Sequence, residues 1–261
     1  MIYPDNDKTV DIQRRNSIQK PFTDIHCHCL PGLDDGPSTI DEAIALCQRL
    51  ATEGITTVVA TPHQLGRFNG RNDAKRIRNV TSQLNACLQK TGIRLNVLPG
   101  GDVRVDERIC RLLEEDHILT VADTGKYILL ELLPHQIFID VEPLLTELAA
   151  LGVKAIISHP ERHSALLQQS KVILRWLDIG AHFQIDACSL LDYSNPVVHR
   201  AAWQFLSSGW ALFVATDAHN TNVRKPYMRA AFKRICTRLG KDLANLVCIE
   251  NPARIVDGQD I

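Results

Sequence analysis

The chain has 261 residues, 45% of them hydrophobic and 23% charged, with a formal net charge of −1. That composition excludes a disordered or fibrous chain and supplies enough apolar material for a large core without staples. Near-neutral charge gives no electrostatic reason to expect nucleic acid or an anionic membrane as partner, and no apolar run approaches the ~18 residues of a membrane span.

In chain order, residues 1–21 are polar and mixed in charge, and they read as a flexible leader with no signal-peptide core. Residues 22–261 read as one domain. Short apolar runs follow at Thr23–His28, Thr56–Thr61, Leu95–Leu98, Tyr127–Leu132, Lys154–Ser158, His182–Asp186 and Ala211–Thr216. Several are apolar throughout, as strands covered on both faces are. Helical stripes lie between them. Ile40, Ala43, Ile44, Cys47 and Leu50 keep a 3.6 period behind the cap-like Ser38 and Thr39. Ile77, Val80, Leu84 and Cys87 do the same, as do Val141, Leu144, Leu145 and Leu148. Val198, Ala201, Ala202 and Phe205 form another stripe, and Met228, Ala231, Phe232, Ile235 and Leu239 the last. Gly54, Gly92, Gly152, Gly180 and Gly209 each stand between a helix and the next strand, where a helix-ending glycine belongs. Repeated strand–helix units predict an α/β fold, a single parallel barrel of about seven strands.

The eight cysteines are scattered, mostly through apolar segments, and read as free thiols of a cytoplasmic protein.

In such a barrel the strand C-termini and the loops after them build the site. Here the strands end in His26-Cys27-His28, Thr61-Pro62-His63, Gly100-Gly101-Asp102, Glu131, Ser158-His159-Pro160-Glu161-Arg162 and Thr216-Asp217-Ala218-His219, with Asp34 and Asp35 in the first loop. Strand side chains alternate, so His26 and His28 face one side while Cys27 and Cys29 face the helices. Asp217 and His219 repeat the spacing on the last strand, which neighbours the first in a closed barrel. A lone strand-end histidine such as His63 is more often a hydrogen-bonded loop residue than a ligand. Glu131 inside Leu-Leu-Glu-Leu-Leu is harder to dismiss, because an ionised carboxylate in an apolar strand needs a cation. Mixed nitrogen and oxygen donors suit Mn2+, Zn2+ or Fe2+ better than Ca2+ or Mg2+ alone.

These motifs resemble a known family. Asp24-Ile-His-Cys-His-Cys-Leu-Pro-Gly-Leu-Asp-Asp-Gly-Pro37 is similar to the opening motif of the PHP (polymerase and histidinol phosphatase) superfamily. Together with Ala60-Thr-Pro-His63, Ile157-Ser-His-Pro-Glu-Arg162, Ala215-Thr-Asp-Ala-His219 and Asn251-Pro-Ala-Arg-Ile-Val256, it resembles the CpsB/CapC-type tyrosine-protein phosphatases of bacterial capsule and exopolysaccharide systems. The resemblance spans roughly Asp24 to Val256 and implies a distorted (β/α)7 barrel holding two or three divalent ions, with Mn2+ first and Fe2+, Zn2+ or Mg2+ as alternatives. It implies that His26, His28, Asp102 and Asp217 hold one ion, that Asp102 bridges to a second with Glu131 and His159, and that Asp35, His63 and His219 hold a third. Arg162 and Arg224 match positions that face the substrate phosphate. Asp102 stands where the family usually has Glu, and its carboxylate reaches about one methylene less far.

The expected chemistry is phosphoester hydrolysis by metal-bound hydroxide, with Arg162 and Arg224 on the phosphoryl group and Asp35 and His63 assisting the leaving group. By resemblance the substrate is a phosphotyrosine protein, such as a bacterial tyrosine kinase of polysaccharide export. Small-molecule phosphatases such as histidinol-phosphate phosphatase, and a non-catalytic metal-binding module, are the alternatives. An amidohydrolase would need a bridging lysine where Asp102 and Glu131 stand. A Cys-x5-Arg pattern occurs at Cys248–Arg254, but it lacks glycine and Pro252 removes an amide donor. It is expected to be a buried strand-end thiol before a last short helix.

Overall fold

The protein is described by a computed structural model covering residues 20–133 and 141–261. The leader expected over residues 1–21 lies outside them save for Lys20 and Pro21. Among the described residues the strands are β1 (Phe22–Cys27), β2 (Ile55–Ala60), β3 (His63–Gln64), β4 (Asn96–Pro99), β5 (Asp102–Arg104), β6 (Tyr127–Glu131), β7 (Lys154–Ser158), β8 (His182–Asp186) and β9 (Ala211–Ala215). The principal helices are α1 (Ile40–Thr52), α2 (Ala74–Thr91), α3 (Ile109–Glu114), α4 (Val141–Ala150), α5 (Ser164–Leu167), α6 (Ser170–Ile179), α7 (Pro196–Ser207), α8 (Met228–Leu239), α9 (Lys241–Asn245) and α10 (Asn251–Val256).

All strand pairings are parallel, in the orders β1-β2-β4 and β3-β5-β6-β7-β8-β9. β3 continues the line of β2 beyond Thr61-Pro62, and β5 continues β4 beyond Gly100-Gly101. Ring closure comes from the Cys27–Ala218 bridge, with Asp217 N donating to His26 O (2.8 Å) and His28 N to Ala218 O (2.9 Å). Counting each interrupted pair as one position, the sheet is a distorted (β/α)7 barrel. The expected strands are present, but the second and third are each cut in two. The second breaks at a proline, whose nitrogen has no proton to give the ladder. The third breaks at two glycines that cannot be larger. A Cβ on Gly100 would lie 2.6 Å from Val59 Cγ1, and one on Gly101 2.2 Å from Gln64 Oε1. Beyond the break, Asp102 stands beside His63, its register partner.

Alternation along the strands separates two cores. Val59, Tyr127, Leu129, Ile156 and Phe213 fill the barrel, closed by Ile255 of α10. Val58, Ile128, Leu130, Ile157, Phe183 and Val214 face the helices. Thr39 caps α1 through its side chain, which accepts from Glu42 N, and Gly92 and Gly180 end α2 and α6 in the left-handed conformation. No described helix is long and apolar enough to cross a membrane.

Cys248 departs from expectation. It lies not at a strand end but in a helical turn, Leu246–Glu250, that runs into α10. The thiol is buried whereas Arg254 is exposed, so the two cannot enclose one phosphate. Burial also pushes the thiol pKa well above its ordinary value.

Candidate metal centre

Three histidines are fixed in one tautomer by groups behind them. His28 Nδ1 lies 2.6 Å from Asp34 Oδ2, and His219 Nδ1 2.9 Å from Asp217 O. Both partners only accept, so Nδ1 carries the proton and Nε2 keeps its lone pair. His26 Nδ1 lies 2.7 Å from Gln184 Oε1, and Gln184 is oriented by donating its amide to Asp186 Oδ1 at 3.0 Å. The same tautomer follows, the arrangement that metal-binding histidines adopt.

The freed lone pairs converge. His26 Nε2 and His28 Nε2 are 3.2 Å apart with no proton to share, and Asp217 Oδ1 lies 3.4 and 3.5 Å from them. Asp102 Oδ2 is 3.8 Å from His26 Nε2 and 3.2 Å from His63 Nδ1, which is also 3.3 Å from Glu131 Oε2. Asp35 Oδ1 lies 3.4 Å from both His63 Nε2 and His219 Nε2. Three groups have donor atoms close enough for one ion each: His26, His28 and Asp102; His63, Asp102 and Glu131; and His28, Asp35, His63 and His219. The residues fit divalent cations on a second ground. His63 Nδ1, Asp102 Oδ2, Asp217 Oδ1 and His219 Nε2 are buried and lack an aligned hydrogen bond among the described residues.

Burial, then the neighbouring His219, lowers the His28 pKa to about 4. Burial opposes charge on His63, but contacts with Asp102, Asp35 and Glu131 outweigh it and raise its pKa to about 12. Without a cation, this ring takes the positive charge that the carboxylates demand. Asp35 is held well below the carboxylate range by His219 and His63.

Asp217 and His159, both expected as ligands, lie outside the three groups, although Asp217 touches His26, His28 and His219. The His159 Nε2 atom lies 3.4 Å from Ser158 Oγ, which is 3.2 Å from Asp102 Oδ1. Asp217 and His159 are also left-handed at φ 48° and 34°. Strain of this kind in non-glycine residues collects at functional sites. Arg162 and Arg224 both donate to Asp217 Oδ2, at 3.0 and 2.7 Å, and Arg162 also pairs with Asp186. A cavity of about 530 Å3 opens above the cluster, lined by Asp35, His63, Arg67, Arg104, Arg162 and Arg224 among others. A second cavity of about 600 Å3, around Trp203 and Arg238, contains none of the cluster residues.

Gln184, Asp186, Arg67 and Arg104 join the site without having been expected there, and Asp34 takes a task that its sequence position does not assign. One signal was present: Asp186 ends the sixth apolar run with a carboxylate, and the other runs have His, Asp or Glu at or close to their ends.

The sequence profile of the family "Capsular polysaccharide synthesis, CpsB/CapC" matches residues 22–257. This chain belongs to the CpsB/CapC family. The tyrosine-protein phosphatase YwqE of Bacillus subtilis is 30% identical over 240 residues, covering 91% of this chain and 92% of YwqE. The tyrosine-protein phosphatase CpsB of Streptococcus agalactiae is also 30% identical over 240 residues, covering 89% of this chain and 97% of CpsB. In three dimensions the chain is similar to a CpsB/CapC structure from the work on YwqE of Bacillus subtilis and CpsB of Streptococcus pneumoniae, described as unique metal-dependent tyrosine phosphatases. The TM-score is 0.87 at 29% identity, over 92% of this chain and 96% of that one. Family membership and the α/β barrel are both borne out.

Proposed function

We propose that this chain is a metal-dependent phosphoric monoester hydrolase that removes phosphate from protein tyrosine in capsule or exopolysaccharide synthesis. The observation that carries the reading is the facing pair of His26 and His28 Nε2 lone pairs, 3.2 Å apart, beside two arginines joined on Asp217. Lone pairs so placed call for a cation, and paired guanidinium groups suit a phosphoryl dianion.

His26, His28, Asp102 and Asp217 would hold one ion, and Asp102, Glu131 and His159 a second. Asp35, His63 and His219 would hold a third, and His28, grouped with them, supports that set. Bound divalent ions lower the pKa of coordinated water toward ~7 and neutralise charge on a phosphoryl group. The chain's own residues do the rest. Arg162 and Arg224 bind the non-bridging phosphate oxygens and orient phosphorus for in-line attack by water. A new P–O bond forms as the bond to the tyrosine oxygen breaks, and a water proton ends on the departing phenol. Asp35 and His63 line the cavity and meet that leaving oxygen. A phenolate with a pKa near ~10 needs less help to leave than an alkoxide.

Mn2+ is the proposed ion, a segment of a bacterial tyrosine kinase of polysaccharide export the proposed substrate, and the cytoplasm the proposed compartment. Eight free thiols favour the last. The test is kcat/KM for a phosphotyrosine peptide against histidinol phosphate. At least a tenfold preference for the peptide, about 1.4 kcal/mol, is expected. The reverse preference would make the chain a small-molecule phosphatase.

A further inference from the structure

The arginines of the cavity form a row. Arg162 Nη1 and Arg224 Nη2 meet on Asp217 Oδ2 at 3.0 and 2.7 Å. Arg224 Nη1 and Arg67 Nη2 then meet on Asp35 Oδ2 at 3.7 and 3.0 Å. The side chains become more exposed outward, at 35%, 37% and 66%. One phosphoryl group has three non-bridging oxygens, and the two inner guanidinium groups already match it bidentately. The outermost is surplus to that need.

Arg67 is nevertheless built into place. Its guanidinium carbon lies 4.7 Å from the centre of the Phe68 ring, and that ring stacks on His63 at 5.5 Å. This holds the guanidinium over the ring at the cavity's edge. Arg67 follows a strained turn: Leu65 has φ 65° and ψ −163°, a region that only glycine occupies readily. Gly66 follows at φ 53°, and a Cβ there would press on Arg104 Cγ at 3.1 Å. Arg104 is occupied, with Nη2 2.6 Å from Glu131 Oε2 and Nη1 donating to Leu132 O at 2.8 Å. Among the described residues Arg67 makes one hydrogen bond, from Nη2 to Asp35, so Nε and Nη1 keep protons to donate.

We propose that Arg67 forms a rim subsite for a second anionic group on the substrate, the carboxylate of an acidic residue flanking the phosphotyrosine. The inference rests on the phosphatase reading and deepens it: the preferred substrate is an acidic phosphotyrosine segment. Arg162 and Arg224 hold the phosphate while Arg67 holds the neighbouring carboxylate.

The test uses two phosphotyrosine peptides that differ only in flanking Glu against Gln, with p-nitrophenyl phosphate as a substrate that has no flank. The wild type is expected to prefer the Glu peptide by about fivefold in kcat/KM at low ionic strength, and less at high salt. In Arg67→Gln the ratio falls to about one, and Arg67→Lys retains a preference. Any disturbance of Asp35 slows both peptides alike and cancels in the ratio. Equal rates on the two peptides in the wild type, or a preference that survives Arg67→Gln, would overturn the subsite. Turnover of p-nitrophenyl phosphate under those results leaves the phosphatase reading standing. No turnover of any of the three, with metal bound, sinks that reading and the subsite with it.

Discussion

Asp34 Oδ2 receives the Nδ1 proton of His28 at 2.6 Å and the backbone amide of His63 at 3.0 Å. One buried carboxylate thus sets the tautomer of His28, just beyond β1, and anchors the start of β3. Burial opposes its charge, but the bonds from His28 and from the amides of Gly36 and His63 win and lower the pKa to about 2. Asp34→Asn should therefore weaken Mn2+ affinity by about 10–100-fold, while saturating metal restores most of the rate. Competition with a chelator measures the affinity. An unchanged value would mean that Asp34 does not set the ligand.

Asp186 is a hub at the end of β8. It pairs with Arg162 and orients Gln184, which in turn holds His26. Loss of its charge releases the arginine more than the histidine, because an asparagine can still accept from Gln184. Asp186→Asn is predicted to raise KM for a phosphotyrosine peptide by about tenfold with a smaller fall in kcat. A variant that loses kcat alone would place the contribution of Asp186 elsewhere.

Cys248 and Arg254 bring a test between mechanisms. Cys248→Ser should keep the hydrolysis rate within about twofold, since the thiol is buried and its partner arginine exposed. Its cost should be in stability, about 1–3 kcal/mol for a buried hydroxyl lacking a partner. Rate and thermal melting are read on the same sample. A loss of several hundred-fold in a folded variant would favour a cysteine nucleophile.

His182 lies at the base of β8 against Tyr127 and Phe213, each 6.2 Å away by ring centres, and its Nε2 has no hydrogen-bond partner among the described residues. Burial, then the charge of Lys154, lowers its pKa to about 4. An unfolded histidine titrates near ~6.5. Between these values the unfolded chain binds a proton that the folded chain refuses. Stability from this group is therefore intact above ~6.5 and lost as pH falls toward 4, by at most ~1.4 kcal/mol per pH unit. His182→Gln should show a smaller drop in urea midpoint than wild type between about pH 7 and about pH 5. Equal drops would show that His182 does not carry this part of the acid sensitivity.

Much of this centre was legible in the sequence because barrel strands announce their own ends. An apolar run that stops at His, Asp or Glu marks a donor at the mouth, and Lys154–Ser158 and His182–Asp186 were delimited to the residue. The interruptions were not legible. Thr61-Pro62-His63 and Gly100-Gly101-Asp102 read as strand ends, and only the side chains of Val59 and Gln64 beside the two glycines show why the third strand is interrupted there. Nor were the orienting groups. Gln184 is separated from His26 by most of the chain, and nothing local to either residue says that they touch. Asp34 and Asp35 are adjacent and chemically alike, yet one sits behind His28 while the other faces the cavity, a division made by the turn at Gly36, whose amide binds Asp34 Oδ1 at 3.0 Å.

A catalytic role for divalent ions held by the convergent His and Asp atoms is the core of the proposed function. Its most direct test is hydrolysis of a phosphotyrosine peptide by metal-stripped protein, with and without added Mn2+, beside His26→Ala. Negligible turnover is expected after stripping, recovery on addition of Mn2+, and no recovery in His26→Ala although that variant remains folded. Full turnover by protein shown to be free of metal would contradict it.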